Sequence, residues 1–218
     1  AKFDTKIGSL NALMEKSDKL ILGGVIYNAY LCAKYGLKIN GIEEDDLKLA
    51  GEFVKYSEKY PDKIVDLPYI IESDTMEGRV EGKYRTHNIH ELKAGTKLNY
   101  VLDIDRMSFE KIDVKEIFMK SRTIFVNAVM GFTPHFIDGT VALDKLIDQN
   151  KDAVKMYGGG DTLQELKTLL PGLYISAIDH PKYCIFTGGG AVLQAIQEDS
   201  PYGMKPVQAL IENRKLFA

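Results

Sequence analysis

Met156–Leu170 reads MYGGGDTLQELKTLL, and the apolar run Ala153–Tyr157 leads into it. Three consecutive glycines, Gly158-Gly159-Gly160, separate that run from a segment with helical periodicity. The pattern is strand, tight turn, helix. Glycine reaches backbone conformations closed to other residues and lets a ligand approach the main chain. The helix beyond presents free N–H groups and a partial positive charge, which is what a phosphate needs. Asp161 either caps that helix or holds a cation that bridges phosphate oxygens. A glycine turn that only reverses the chain is the plainer alternative.

The pattern recurs. Lys19–Leu22 (KLIL) runs into Gly23-Gly24 and a buried helix over Val25–Lys34, which Gly36 ends. Tyr183–Phe186 (YCIF) runs into Thr187 and Gly188-Gly189-Gly190, with a helix over Ala191–Gln197. Thr123–Val126 (TIFV) is followed by Asn127 and Met130-Gly131, then by a helix over Asp138–Gln149 capped by Asp138 or Thr140. Glu43–Tyr60 is an amphipathic helix whose acidic first turn suits the helix dipole better than a metal. Tyr100–Ile104 is a strand carrying a carboxylate, Asp113–Ser121 is helical, Leu173–Ile178 is expected to be extended, and Gln208–Arg214 closes the chain as a helix.

Strands alternating with helices predict an α/β fold, a doubly wound and mainly parallel sheet with helices on both faces. Ligands of such sheets bind outside the C-terminal ends of the strands. Gly23-Gly24, Asn127, Gly158–Thr162 and Thr187–Gly190 are therefore expected along one edge. Residues 1–218 read as one domain, with 73–99 as an irregular hairpin or loop excursion that leaves His87 and His90 exposed.

Other classes are disfavoured. A net charge of −3 argues against a nucleic-acid platform. There is no G-x-G-x-x-G fingerprint, G-x-x-x-x-G-K-[ST] loop or nucleophile elbow. No apolar run reaches the roughly 18–20 residues of a membrane span. Cys32 and Cys184 both lie in apolar surroundings, which predicts two buried thiols and a reducing, cytoplasmic setting. Lys2 and Lys6 are four apart, on one face if the first helix reaches back that far; solvated lysines are the plain reading. The chain begins AKFDTKIGSL, without Met and close to a helical pattern, as a fragment or processed product would.

In this order the turns resemble those of the C-terminal, nucleotide-binding domain of the phosphoglycerate kinase family. Ala1–Gly8 is similar to the family's AKVSDKIG, and Lys19–Gly24 (KLILGG) to the strand before its adenine site. Gly41–Ala50 is similar to its acidic helix start. Leu67-Pro68 and Leu102-Asp103-Ile104 resemble its LPVD and GLDIGP segments. Phe125–Gly131 (FVNAVMG) stands where the family has VWNGPMG. Tyr157–Thr162 (YGGGDT) and Phe186–Ala191 (FTGGGA) match its two triple-glycine turns. The resemblance implies phosphoryl transfer between 1,3-bisphosphoglycerate and ADP, with ATP as the product nucleotide and Mg²⁺ as cofactor. It gives Lys2 a nucleotide-phosphate role, Lys6 the role of following the transferred group, and Asp161 the Mg²⁺. Thr162 would contact a phosphate, Asn127 would lie beside the nucleotide phosphates, and Gly188, Gly189 and Gly190 would present N–H groups to the group in flight. Gly23, Gly24, Gly158, Gly159 and Gly160 belong to the nucleotide site.

The departures fall at the nucleoside end. Val101 replaces a glycine that walls the adenine slot, and Asp105-Arg106 replace Gly-Pro. Ala128-Val129 replace another Gly-Pro, and Tyr27 stands where alanine is usual. Phe132-Thr133-Pro134-His135 lacks the carboxylate that would hold the ribose hydroxyls. The family also needs an N-terminal domain with a basic pocket. A strand expected before Ala1, central to the sheet, must come from that missing half or from another protein segment. Two expectations result: the nucleotide half of a kinase, inactive alone, or a catalytically degenerate domain kept as a structural or interaction module.

Overall fold

The computed structural model describes residues 6–216. In chain order the elements are α1 (Ile7–Lys16), α2 (Gly24–Tyr35), β1 (Lys38–Ile39), α3 (Glu44–Ser57), β2 (Tyr69–Ser73), β3 (Tyr84–Asn88), β4 (Lys97–Leu98) and β5 (Tyr100–Ile104). There follow α4 (Met107–Glu110), α5 (Ile112–Lys120), β6 (Thr123–Val126), α6 (Asp138–Gln149), β7 (Val154–Gly158), α7 (Gly160–Leu169), α8 (Pro171–Ile178), β8 (Tyr183–Phe186), α9 (Gly189–Gln197) and α10 (Lys205–Leu216).

Local chemistry sets the ends of these elements. Gly36 ends α2 at φ 68°, the left-handed turn that glycine adopts without strain. The first turn of α3 holds Glu44, Asp45 and Asp46, and its last turn holds Lys55, both complementing the helix dipole. Leu173–Ile178 lies in α8 and is not extended. Pro171 occupies the first turn, where its missing N–H costs nothing. Helix α6 opens on Ile137 with no side-chain cap, contrary to the expected Asp138 or Thr140. Thr140 Oγ1 instead accepts from Met130 N at 3.0 Å, and Asp138 pairs with Arg79 at 2.7 Å.

The chain is an α/β fold whose parallel sheets are flanked by helices. Strands β6, β7 and β8 form a parallel sheet in that order, with Phe125 opposite Met156 and Tyr157 opposite Ile185. Helix α6 connects β6 to β7, and α7 with α8 connects β7 to β8, as parallel strands require. β1 and β4 also pair parallel. Two departures from a single parallel sheet are clear. Lys19–Leu22 makes one parallel bridge, Leu20 to Ile64, instead of a longer ladder. β2 pairs antiparallel with both β3 and β5. Among the described residues β6 pairs with β7 alone.

Residues 73–99 contain β3 and β4. His87 is on β3 rather than in a loop, with Nε2 2.6 Å from Glu72 Oε2, while His90 is exposed. Glu72 is buried and also accepts from Arg85 Nε at 2.8 Å and Asn99 N at 2.6 Å. Its burial alone would raise the pKa, but these donors outweigh it and hold the carboxyl below its ordinary value.

One apolar core joins α2, α3, β5, β6, α6 and α7 through Leu31, Phe53, Ile104, Val126, Ile147 and Leu166. Each fully buried side chain of this size contributes about 1.5–3 kcal/mol. Polar pairs lie between α6 and the sheet: in the buried one Tyr157 donates to Asp144 at 3.0 Å, and in the half-buried one Tyr183 donates to Asp148 at 2.8 Å. Cys32 is buried, but Cys184 is exposed, against expectation. β8 lies at the edge of its sheet, so its alternate residues are not covered on both faces.

Candidate functional site

The C-terminal ends of β6, β7 and β8 meet at their turns. Asn127 follows β6, and its Nδ2 donates to Gly158 O at 2.6 Å. Gly159 N donates to Phe186 O at 3.1 Å, tying the β7 turn to β8. Gly159 has φ 100° and ψ 145°, a conformation closed to residues with a Cβ. Packing adds a second demand. A Cβ on Gly159 would lie 2.7 Å from Asn127 Nδ2, and one on Gly189 would lie 2.8 Å from Gly159 Cα. Gly158 faces the Phe186 ring, where a Cβ would come within 2.7 Å of Cζ. That ring stacks on Phe125 with 6.3 Å between centroids. These glycines are therefore required by the close approach of three strand ends.

Gly160 and Gly190 differ. A Cβ on either would meet no described atom within 4 Å. Both sit in the first turns of helices, α7 and α9, that have no side-chain cap. First-turn N–H groups of such helices have no intrahelical acceptor and carry the positive end of the dipole. Asp161 is exposed in the same turn of α7, and Thr162 behind it is buried. Gly188 leads into α9, its Cβ position 3.8 Å from Ala191 Cβ.

The Gly23-Gly24 turn joins the same edge. A Cβ on Gly23 would lie 3.1 Å from Met130 Cε, Met130 Sδ and Val129 O. Gly24 has φ 58° and lies near Val129 O. The structure thus brings Asn127, Gly158, Gly159 and Gly189 together, and sets Gly23 and Gly24 against Val129 and Met130 of the loop that follows Asn127. Lys6 stands at the N-cap of α1, its carbonyl accepting from Leu10 N at 2.8 Å. Gly8 lies against the Gln197 side chain at the C-terminal end of α9. That is roughly 12 Å along the helix from Gly189. Lys2 lies outside the described residues.

The loop after β6 is held from below by Asp103, which is 2 % exposed. Its carboxylate accepts from Ile104 N at 2.8 Å and Gly139 N at 3.3 Å. It also fills the space beside Gly131 and Gly139, where a Cβ would lie 2.7 Å and 2.6 Å from Oδ1. Burial pushes its pKa up to about 7 despite the backbone donors. Val101 and Tyr27 are both buried, and Tyr27 exchanges hydrogen bonds of 2.9 Å with Leu67 O and N.

Between the loop and α7 lies a cleft of about 260 Å³ lined by Val129, Gly131, Phe132, Thr133, Asp161, Gln164 and Glu165. Sequence reasoning missed Gln164 and Glu165. Their spacing from Asp161, three and four residues on, was the available signal, because it places all three on one helical face. Among the described residues no three His, Cys, Asp or Glu side chains group closely enough to hold a metal by themselves. Asp161 offers a single exposed carboxylate at this turn. No helix among the described residues is long and apolar enough to cross a membrane.

A family model described as phosphoglycerate kinase matches residues 1–199. The phosphoglycerate kinase of Mesomycoplasma hyopneumoniae is 29% identical over 212 residues, which are 95% of this chain and 48% of the relative. That of Lactiplantibacillus plantarum is 28% identical over 201 residues, 90% of this chain and 46% of the relative. The solved phosphoglycerate kinase of Coxiella burnetii superposes with a TM-score of 0.72 at 23% identity, covering 92% of this chain and 49% of that one. The chain thus spans about half the length of the relatives it matches. Three strand ends meeting at Asn127 and two glycine turns, and a family match over most of the sequence, lead to one conclusion: the chain belongs to the phosphoglycerate kinase family.

Proposed function

We propose that this chain is the nucleotide half of a phosphoglycerate kinase, binding MgADP or MgATP through its phosphates in a cytoplasmic setting. The observation that carries the reading is the convergence of Asn127, Gly158, Gly159 and Gly189. It sets the uncapped starts of α7 and α9 beside each other. Phosphoryl transfer requires positioning and charge neutralisation more than covalent chemistry. In this reading the N–H groups from Gly160 to Thr162 receive nucleotide phosphates and Asp161 holds Mg²⁺. The N–H groups of Gly188 and Gly190, and that of Gly189 once it releases Thr187 O, to which it donates at 3.0 Å, stabilise the phosphoryl group as it leaves the acyl phosphate of 1,3-bisphosphoglycerate for ADP. Lys2 and Lys6 would supply positive charge, and Lys6 would need a movement of α1 toward the start of α9. The acyl-phosphate substrate would bind in the other half of the protein, which would also pair with the free edge of β6.

Isothermal titration of the chain with MgADP tests this reading. Saturable heat, lost in Asp161→Ala and on chelating Mg²⁺, supports it. At a hundred times the dissociation constant the ligand should add about 2.7 kcal/mol of stability. No heat and no thermal shift at millimolar MgADP would overturn it. The packing of Met130 and Val129 on Gly23, with Tyr27 and Val101 both buried, favours a second reading. There the domain is degenerate and serves a structural or protein-interaction role. ADP-dependent turnover of 1,3-bisphosphoglycerate by the whole protein would rule that out.

A further inference from the structure

We infer that Asp103 is the positioning residue for the loop from Gly131 to Gly139, and that this loop stays closed while Asp103 keeps its proton and loosens when the proton leaves. This holds whatever ligand the glycine turns bind. Both ends of the loop are tied to consecutive residues of β5. At the near end Phe132 N donates to Leu102 O at 2.8 Å. At the far end Gly139 N donates to Asp103 Oδ2 at 3.3 Å, while Oδ1 accepts from Ile104 N at 2.8 Å. Within the loop Phe136 N donates to Phe132 O at 3.1 Å. Gly131, Phe132 and Thr133 line the cleft opposite α7, so these few ties decide whether that wall stands.

The surroundings of Asp103 favour its protonated form. A Cβ on Gly131 would overlap Phe136 O and lie 2.7 Å from Oδ1, and one on Gly139 would lie 2.6 Å from both Oδ1 and Ile104 O. Two carbonyl oxygens thus crowd the carboxyl. They have no proton to offer a carboxylate, whereas a carboxyl that keeps its proton can donate to one of them. The side chain is also buried, which penalises charge. Asp138, at the start of α6, faces it and adds a like charge, although Arg79 pairs with Asp138 at 2.7 Å. The Arg79 guanidinium lies over the Tyr84 and Phe136 rings, 4.6 Å and 5.9 Å from their centroids. On β2 the residue opposite Asp103 is Ile71, which carries no charge. Asp105, next along β5, turns to Thr86 Oγ1 at 2.7 Å and Met107 N at 2.9 Å, and His135 of the loop is exposed. The backbone donors only partly offset burial, and the pKa is pushed up to about 7. With the loop open and the carboxyl in water, the proton would leave at about pH 4. Between those values a rise in pH favours the open form.

Hydrogen exchange of single amides, followed by NMR from pH 5 to 8 and corrected for intrinsic rates, tests this. In the parent chain the protection of Phe132, Phe136 and Gly139 should fall by up to about tenfold per unit toward pH 7 and then level off. The same amides should be less protected than those of α3 throughout, as local opening requires. Asp103→Asn keeps an acceptor and a donor but cannot titrate, so its loop amides should show no such fall, while Asp144→Asn should retain it. Protection in the parent that does not change with pH would overturn the inference, and so would an unaltered fall in Asp103→Asn. Loop amides as protected as those of α3 would overturn it too, since the loop would then open only with the whole chain. Should Asp103→Asn not fold, the carbon-13 titration of the Asp103 carboxyl in the parent decides. A midpoint that coincides with the levelling of amide protection supports the switch, and one below pH 5 refutes it.

Discussion

Replacing Gly159 by alanine separates the two demands made on the triple-glycine turn. At φ 100° and ψ 145° an L residue is strained, at a cost of about 1–3 kcal/mol. The added Cβ would also lie 2.7 Å from Asn127 Nδ2. Asn127 would have to move off Gly158 O, losing a hydrogen bond whose net contribution is about 1 kcal/mol. Together these give roughly 2–4 kcal/mol of destabilisation, or a fall of about 5–15 °C in Tm for a chain of this size. Gly160→Ala is the internal control. Its Cβ meets nothing within 4 Å, and it begins a helix. Alanine there should be neutral or stabilising by up to about 1 kcal/mol. Equilibrium unfolding in urea measures both. A methyl at Gly160 would nonetheless face an approaching phosphate, so Mg-pyrophosphate affinity should drop about tenfold, the scale of one displaced charge-assisted hydrogen bond. A Gly159→Ala chain as stable as the parent would refute the strain argument. Full ligand affinity in Gly160→Ala would refute the placement of phosphate on this turn.

Asp103 and Asp144 both have their pKa raised to about 7 by burial, so each keeps its proton longer when folded than when unfolded. Their contribution is complete below about pH 4 and is lost as pH rises toward 7, by a few kcal/mol per group; Asp144→Asn should flatten that slope in urea midpoints taken from pH 5 to 8. Glu72 acts in the opposite sense, since its lowered pKa makes its stabilising share disappear as pH falls below its ordinary range. Arg85→Ala should remove part of that acid-side loss. Asn150 donates to Phe118 O and Ser121 O at 2.8 Å each and accepts from Ala153 N at 3.0 Å; Asn150→Ala should cost about 3 kcal/mol in chemical denaturation, because it leaves buried backbone groups unpaired. Backbone amides of β6 should exchange with deuterium faster than those of β7, since β6 pairs on one side only among the described residues. Equal protection of the two strands would contradict the free edge.

The two strand–glycine–helix units at β7 and β8 were legible because each carries its own local signal: an apolar run, glycines, then a 3.6-residue period. Residues whose role depends on partners far along the chain were not. Asp103 shows this well. In YVLDI it is one acid in an apolar strand, and only the fold reveals the Gly139 N–H it serves, 36 residues away. Leu173–Ile178 was misread because a short apolar run has no period of its own; Pro171 was the better guide. The antiparallel pairing of β2 with β5 was not legible, since strand direction is set by long-range pairing that alternation alone does not encode. Cys184 was misplaced for a related reason. An apolar strand sequence does not say whether the strand is central or at an edge.

The two ends of the site are built from different materials, and this bears on how each tolerates change. The glycine-turn end is made of backbone. Its geometry depends on glycines that admit no Cβ, so a substitution at Gly158, Gly159 or Gly189 would disturb the fold before it altered specificity. The cleft wall between that loop and α7 is made of side chains on scaffolds that stand without them. Phe132, Gln164 and Glu165 can each be exchanged at little cost in stability, because Phe132 and Gln164 are exposed and Glu165 is only half-buried. A chain under pressure to keep its fold would therefore retain the glycine turns whatever ligand it binds. Intact glycines are weak support for catalysis, whereas the chemistry of the cleft wall is free to follow function.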